Sequence, residues 1–235
     1  AYSEEYPLQV AEHMYVSPAF PKRMLEMIAS DKVPLRDRRY RYSCLNFVLL
    51  KEMVEKISGM PMDEYLEKEF YGPMGMKYTL YNPLRKYKSE QIVPTIQKDY
   101  LRNRKELRGY VHDEIAAFMG GVSGNAGLFS NARDVAKVYQ MLVDGGQYEG
   151  KRYLSLETCQ LFMNKKSRIS RRALGFDRPD PQPDKGPCAD EAPKEVVGHT
   201  GFTGTCAWAD PKNGLVFVFI SNRVYPRPFD HKGLM

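Results

Sequence analysis

Residues 198–221 read Gly198-His199-Thr200-Gly201-Phe202-Thr203-Gly204-Thr205-Cys206-Ala207-Trp208-Ala209-Asp210-Pro211-Lys212-Asn213-Gly214-Leu215-Val216-Phe217-Val218-Phe219-Ile220-Ser221. Thr205–Ala209 and Leu215–Ser221 carry the aromatic and β-branched residues of strands, and Asp210–Gly214 between them has turn chemistry. The chain therefore ends in antiparallel sheet. Upstream the hydrophobic period changes to that of helices. Ser43 is placed to cap a helix with Leu45, Val48, Leu49, Met53 and Ile57 on one face, stopped by Gly59 and Pro61. A shorter helix carries Met62, Tyr65, Leu66 and Phe70 and ends at Gly72-Pro73. Helices in the middle and strands at the end predict an α+β fold, helices packed on an antiparallel sheet.

Ser130 is expected to cap a helix with Val135, Val138, Tyr139 and Leu142, closed by Gly145-Gly146. Ser155 is expected to cap another that ends near Met163. Residues 40–165 thus read as a mainly helical part and 196–222 as the terminal strands of a single domain, 1–235. Residues 1–40 read as irregular, with a short helix around Lys22–Ala29. Residues 77–115 read as an extended insertion with one short strand, and 177–195 as a loop.

Composition excludes several classes. Hydrophobic residues make up 43% and charged residues 27%, ordinary for a globular protein. No apolar run approaches the roughly 18 residues that span a bilayer, so no transmembrane segment is expected. Cys44, Cys159, Cys188 and Cys206 form no C-x-x-C pair, and His13, His112, His199 and His231 form no H-E-x-x-H, so neither a metal nor a cofactor is expected. The net charge is +6, with basic clusters at 36–41, 102–108 and 165–172. No nucleic-acid motif accompanies them, and they read as solvated surface with acidic neighbours rather than a nucleic-acid footprint.

Three segments could carry chemistry. Tyr42-Ser43-Cys44 opens the first strong helix, where helix N–H groups and cations would favour phenolate, as a tyrosine base requires. The competing reading is packing plus a cap. Gly198–Gly204 could let a ligand or a backbone approach closely, and strand N–H groups could bind a developing oxyanion. The competing reading is a bulged strand with a surface His199. Gly120–Gly127 lacks a G-K-[ST] ending, so a tight turn walling a cleft fits better than a phosphate loop.

Taken together, Tyr42-Ser43-Cys44-Leu45-Asn46-Phe47, the helix through Ser58-Gly59, Phe70-Tyr71-Gly72-Pro73-Met74-Gly75-Met76 with Thr79, and Gly198-His199-Thr200-Gly201 resemble serine hydrolases of the penicillin-binding-protein and β-lactamase superfamily, class C-like and esterase-like. Val111-His112-Asp113-Glu114 and Gly201–Thr205 further resemble the β-lactamase-type domain fused to family 3 glycoside hydrolases. The resemblance implies acyl transfer on an amide or ester, with a cell-wall peptide or β-lactam-like substrate, in the periplasm or cell envelope. It implies Tyr42 as base or proton shuttle. His199, in the place usually filled by Lys, would polarise the site and orient the substrate carboxylate or the tyrosine. Thr200 and Gly201 would bind substrate, and the Phe202 N–H would form half of the oxyanion hole. Tyr42 and the 199–201 strand are expected to share one pocket.

Two departures accompany it. Cys44 stands where the family has Asn or Asp in binding substrate, and a thiol poorly replaces an amide; a role for Cys44 as substitute nucleophile is a further, weaker possibility. No serine has lysine three positions later, so the family's S-x-x-K nucleophile is absent from these residues. The chain is expected to be an incomplete domain, lacking an N-terminal segment with that motif and a terminal helix over the sheet, and inactive alone. A piece of a longer enzyme and a natural pseudo-enzyme both fit, and a non-catalytic module holding peptide or glycan in the same cleft is the alternative function.

Overall fold

The computed structural model describes residues 2–30, 40–164, 167–182 and 185–226. The fold is α+β. Its described residues divide into two compact units, the first drawn from 2–68, 80–129 and 223–226, the second from 69–79 and 130–222.

In the first unit β1 (Leu8–Ala11) and β2 (Met14–Val16) form a hairpin, followed by α1 (Ala19–Ser30), where an irregular stretch with one short helix was expected. Next come α2 (Leu45–Ser58) and α3 (Met62–Leu66), the latter continuing as a π turn over Glu67–Tyr71. Gly59, at φ +69°, ends α2 in the left-handed conformation that glycine adopts without strain. The α2 N-cap is Cys44, whose side chain makes no capping bond; Ser43 Oγ instead accepts from Leu45 N at 3.2 Å. The expected apolar face of α2 is present but uncovered among the described residues. Val48 is buried, while Leu49 and Met53 are exposed and Ile57 is 82% exposed. Glu55 ties α2 to α3, accepting from Met62 N at 2.9 Å and pairing with Lys51 at 2.6 Å.

The 77–115 segment is more ordered than its charge suggests. β3 (Leu80–Tyr81) pairs with β6 (Leu128–Phe129), β4 (Pro94–Asp99) forms a hairpin with β5 (Arg104–Arg108), and α4 (Glu114–Phe118) follows. Arg102, in the β4–β5 turn, is buried rather than solvated. Its Nε donates to Asp99 Oδ2 at 2.5 Å, and its two terminal nitrogens donate to the Val111 and His112 carbonyls at 2.7 and 3.1 Å. Asp113 caps α4 by accepting from Ala116 N at 2.8 Å. The glycine-rich stretch is packing: a side-chain carbon on Gly124 would overlap the Phe47 carbonyl of α2, and Asn82 Nδ2 donates to Gly120 O at 2.9 Å.

In the second unit α5 (Ala132–Val143) is capped by Asn131, whose Oδ1 accepts from Asp134 N at 2.8 Å. The expected cap, Ser130, bonds Thr79 Oγ1 at 2.7 Å instead, because Asp134 draws the 78–79 backbone and hydroxyl to the start of the helix. Lys137 Nζ donates to the Met74 and Gly75 carbonyls at 2.9 and 2.8 Å. The Gly72–Thr79 segment is thus a structural clamp, with Met74, Met76 and Thr79 buried. At the other end of α5, Gly146 N reaches Met141 O and Gly145 N reaches Leu142 O, a Schellman closure. Then follow β7 (Gln147–Tyr148), β8 (Lys151–Arg152) and α6 (Leu156–Asn164), which Ser155 caps through Thr158 N at 3.1 Å. The part expected to be mainly helical therefore also holds β3 to β8.

The terminal sheet is a meander of β9 (Val197–Thr200), β10 (Thr205–Asp210) and β11 (Leu215–Ile220), with β10 in the centre. The Asp210 carboxylate accepts from Lys212 N, Asn213 N and Asn213 Nδ2, fixing the turn read from the sequence. α5 packs against β10 and β11. Among the described residues no helix is long and apolar enough to cross a membrane.

Candidate active-site segments

Tyr42 and Cys44 lie in the first unit; His199, Thr200, Gly201 and Phe202 lie in the second. Tyr42 lies three positions before the first residue of α2 and is 60% exposed. Cys44 is half-buried at the helix N-cap with a free thiol.

The 198–204 segment is the end of β9 and a hairpin turn. Gly201 N donates to Thr205 O at 2.6 Å and Gly204 N to Gly201 O at 3.0 Å, which sets Phe202 at the tip, 53% exposed. Its strand glycine serves backbone and ring packing: a side-chain carbon on Gly198 would strike the Trp208 ring and the Ala207 carbonyl. Of the two uses open to such a glycine, close approach within the fold accounts for this one.

Strand alternation sends His199 and Thr200 to opposite faces. Thr200, opposite Cys206 in the register, lines a cavity of about 900 Å³ with Cys188, Cys206, Trp208 and Phe217. That volume lies within the range of small-molecule sites. His199 turns toward a network of arginines and aspartates. Arg172 donates to His199 Nε2 at 2.7 Å, and His199 Nδ1 lies 2.7 Å from Thr200 O. Arg172 also pairs with Asp177 at 3.0 Å, and Arg171 holds Asp177 through two bonds of 2.7 and 2.9 Å and Asp180 at 3.1 Å. Asp177 and Gly198 exchange backbone bonds in both directions, which pins this network to β9.

Asp177 is buried, which by itself pushes its carboxyl upward. The Arg171 hydrogen bonds, the Arg178 N–H and the Arg172 charge outweigh burial and hold it below its ordinary 3.8. Burial likewise lifts the Cys188 thiol, with Asp177 adding to the effect. The basic runs at 102–108 and 165–172 thus supply structural arginines; Arg36, Arg38, Arg39, Lys165 and Lys166 lie outside the described residues. Sequence reasoning missed Arg172, and its only signal was a basic run followed within a few residues by Asp177 and Asp180.

The chain is similar to known proteins over most of its length. The chain is 36% identical over 216 residues to an Escherichia coli K12 protein named "Putative D-alanyl-D-alanine carboxypeptidase", covering 85% of this chain and 49% of that one. It is 35% identical over 213 residues to the N-acetylmuramyl-L-alanine amidase of Bacillus subtilis 168, covering 85% and 48%. The chain therefore spans about half the length of these relatives. In structure it is similar to the octameric penicillin-binding protein homologue from Pyrococcus abyssi, with a TM-score of 0.61 and 20% identity over 94% of this chain and 47% of that one. The family described as Beta-lactamase matches residues 3–234. With an α+β fold, a terminal antiparallel meander and a family match over residues 3–234, the chain belongs to the Beta-lactamase family.

Proposed function

We propose that this chain is the substrate-binding and proton-transfer portion of a serine hydrolase that transfers acyl groups from cell-wall peptides. The observation that carries the reading is the β9 turn, where Thr200 faces a cavity and Phe202 stands at the tip of a hairpin fixed by its own backbone bonds. In this reading the Thr200 hydroxyl and the Gly201 backbone hold the substrate, the Phe202 N–H stabilises the developing oxyanion, and Tyr42 moves the proton as general base. His199 orients the substrate-binding strand. Cys44 stands beside Tyr42 where an amide would bind substrate, which favours a peptidase or esterase over a β-lactam hydrolase. The names of the two relatives, a D-alanyl-D-alanine carboxypeptidase and an N-acetylmuramyl-L-alanine amidase, support a peptide substrate; a cell-envelope location is part of the same proposal. The finer likeness to the domain joined to family 3 glycoside hydrolases rests on residues 111–114 and 201–205 and is part of the same proposal.

The nucleophile comes from sequence other than these 235 residues, since none of their serines heads an S-x-x-K. The exposed apolar face of α2 supports a further segment of the parent protein as partner. The chain alone is expected to give no turnover of nitrocefin or a p-nitrophenyl ester. Turnover by the purified chain, abolished by Tyr42→Phe, would overturn that. A second reading, a non-catalytic module that binds the same peptides, is favoured by the same missing motif. An S-x-x-K encoded upstream of Ala1 selects the enzyme; its absence there selects the binding module.

A further inference from the structure

We infer that Arg172 is a positioning residue that locks His199 in its Nδ1–H form, so that the positive charge beside the substrate-binding strand is a guanidinium rather than an imidazolium. The inference deepens the reading of β9 as a substrate-binding strand and rests on it for its functional meaning. It follows from donor and acceptor inventory. A guanidinium only donates, so the nitrogen 2.7 Å from Arg172, Nε2, must present its lone pair. A backbone carbonyl only accepts, so the nitrogen 2.7 Å from Thr200 O, Nδ1, must carry the proton. An imidazole with no imposed partners favours the other tautomer, with its proton on Nε2. Here both neighbours select against it.

The arrangement is built rather than incidental. Arg172 has a side chain only 20% exposed and is anchored by Asp177, whose own side chain is 3% exposed. Asp177 is in turn clamped by Arg171 and hydrogen-bonded through its backbone to Gly198, the residue before His199. The chain of contacts therefore begins and ends on β9. A second proton on Nε2 would expel the guanidinium and set imidazolium, Arg171 and Arg172 around Asp177 and Asp180. The Nδ1–H bond to Thr200 O ties the ring back onto the peptide that leads into the Gly201–Gly204 turn. Holding the ring thus holds the orientation of the turn that carries Phe202.

Long-range proton–nitrogen correlation spectra of the 15N-labelled full chain at pH 8 test this directly, with the His199 signals assigned by their loss in His199→Gln. Wild type is expected to show a protonated Nδ1 and an unprotonated Nε2. Arg172→Met is expected to shift part of the ring population to the Nε2–H form, because Thr200 O still favours a proton on Nδ1, while Arg172→Lys, which can still donate, retains the wild-type pattern. Amide spectra of each variant verify that the fold persists. An Nε2–H pattern in wild type overturns the proposal whether or not any variant folds. So does an unchanged pattern in a folded Arg172→Met. No substrate enters the measurement, so its failure is distinguishable from failure of the proposed function, which is read by ligand binding.

Discussion

Asp177→Ala is expected to lower the stability of the second unit by about 3–5 kcal/mol, the range for removing one partner of a buried ion pair. The carboxylate is 3% exposed and takes both Arg171 bonds, the Arg172 pair and the Arg178 N–H. Without it Arg171 and Arg172 lose the carboxylate they share, and His199 loses the anchor of its partner. Trp208, the chain's single tryptophan, lies buried in the same unit, so its fluorescence in urea reports the loss. The pH dependence has a definite sign. The folded carboxyl lies below 3.8, so its stabilisation is complete above the unfolded value and is lost as pH falls from about 3.8 through the folded value. The gap between wild type and Asp177→Asn should therefore be widest near neutrality and shrink below pH 3.8. Equal urea midpoints for wild type and Asp177→Ala at pH 7 would refute this account of the network.

Arg102→Met is expected to cost a similar amount, about 3–5 kcal/mol, in the first unit. The side chain is 2% exposed, and Asp99, its partner, is 6% exposed. Removal strands that carboxylate and leaves the Val111 and His112 carbonyls without their guanidinium donors. Arg102→Lys should restore little, because one ammonium cannot reach three acceptors that a planar fork spans. The paired change Arg102→Met with Asp99→Leu should recover part of the loss, since it removes both charges together. Amide hydrogen exchange across β4, β5 and α4 reads the effect locally. Unchanged protection there in Arg102→Met would show that the buried fork contributes nothing.

The terminal meander was legible because strand and turn signals are local. Asp210 and Asn213 make their bonds within four residues, and the 205–210 and 215–220 strands fall where the pattern placed them. The helix stops at Gly59 and Gly145-Gly146 were legible for the same reason. What stayed hidden depends on partners distant in sequence. Ser130 is as good a cap as Asn131 by residue type, and only the 79–130 contact decides between them. Arg102 and Arg172 looked like surface charge because a basic run says nothing about the carboxylates and carbonyls that will meet it. The α2 face was read correctly as apolar, but period alone does not say what covers it. Of the site residues, Phe202 in a turn follows from the glycine spacing of 198–204, while the cavity beside Thr200 depends on residues distant in sequence such as Cys188 and Phe217. So does the coupling of His199 to Arg172, across 27 residues.

A titration of the 15N-labelled chain with an N-acylated D-alanyl-D-alanine peptide, followed by amide spectra, tests the central claim most directly. Saturable shifts at Thr200, Gly201 and Phe202, described by one dissociation constant and unaccompanied by release of D-alanine, are the predicted result. A folded chain whose Thr200, Gly201 and Phe202 signals stay fixed while peptide is added to saturation of any other site would contradict it.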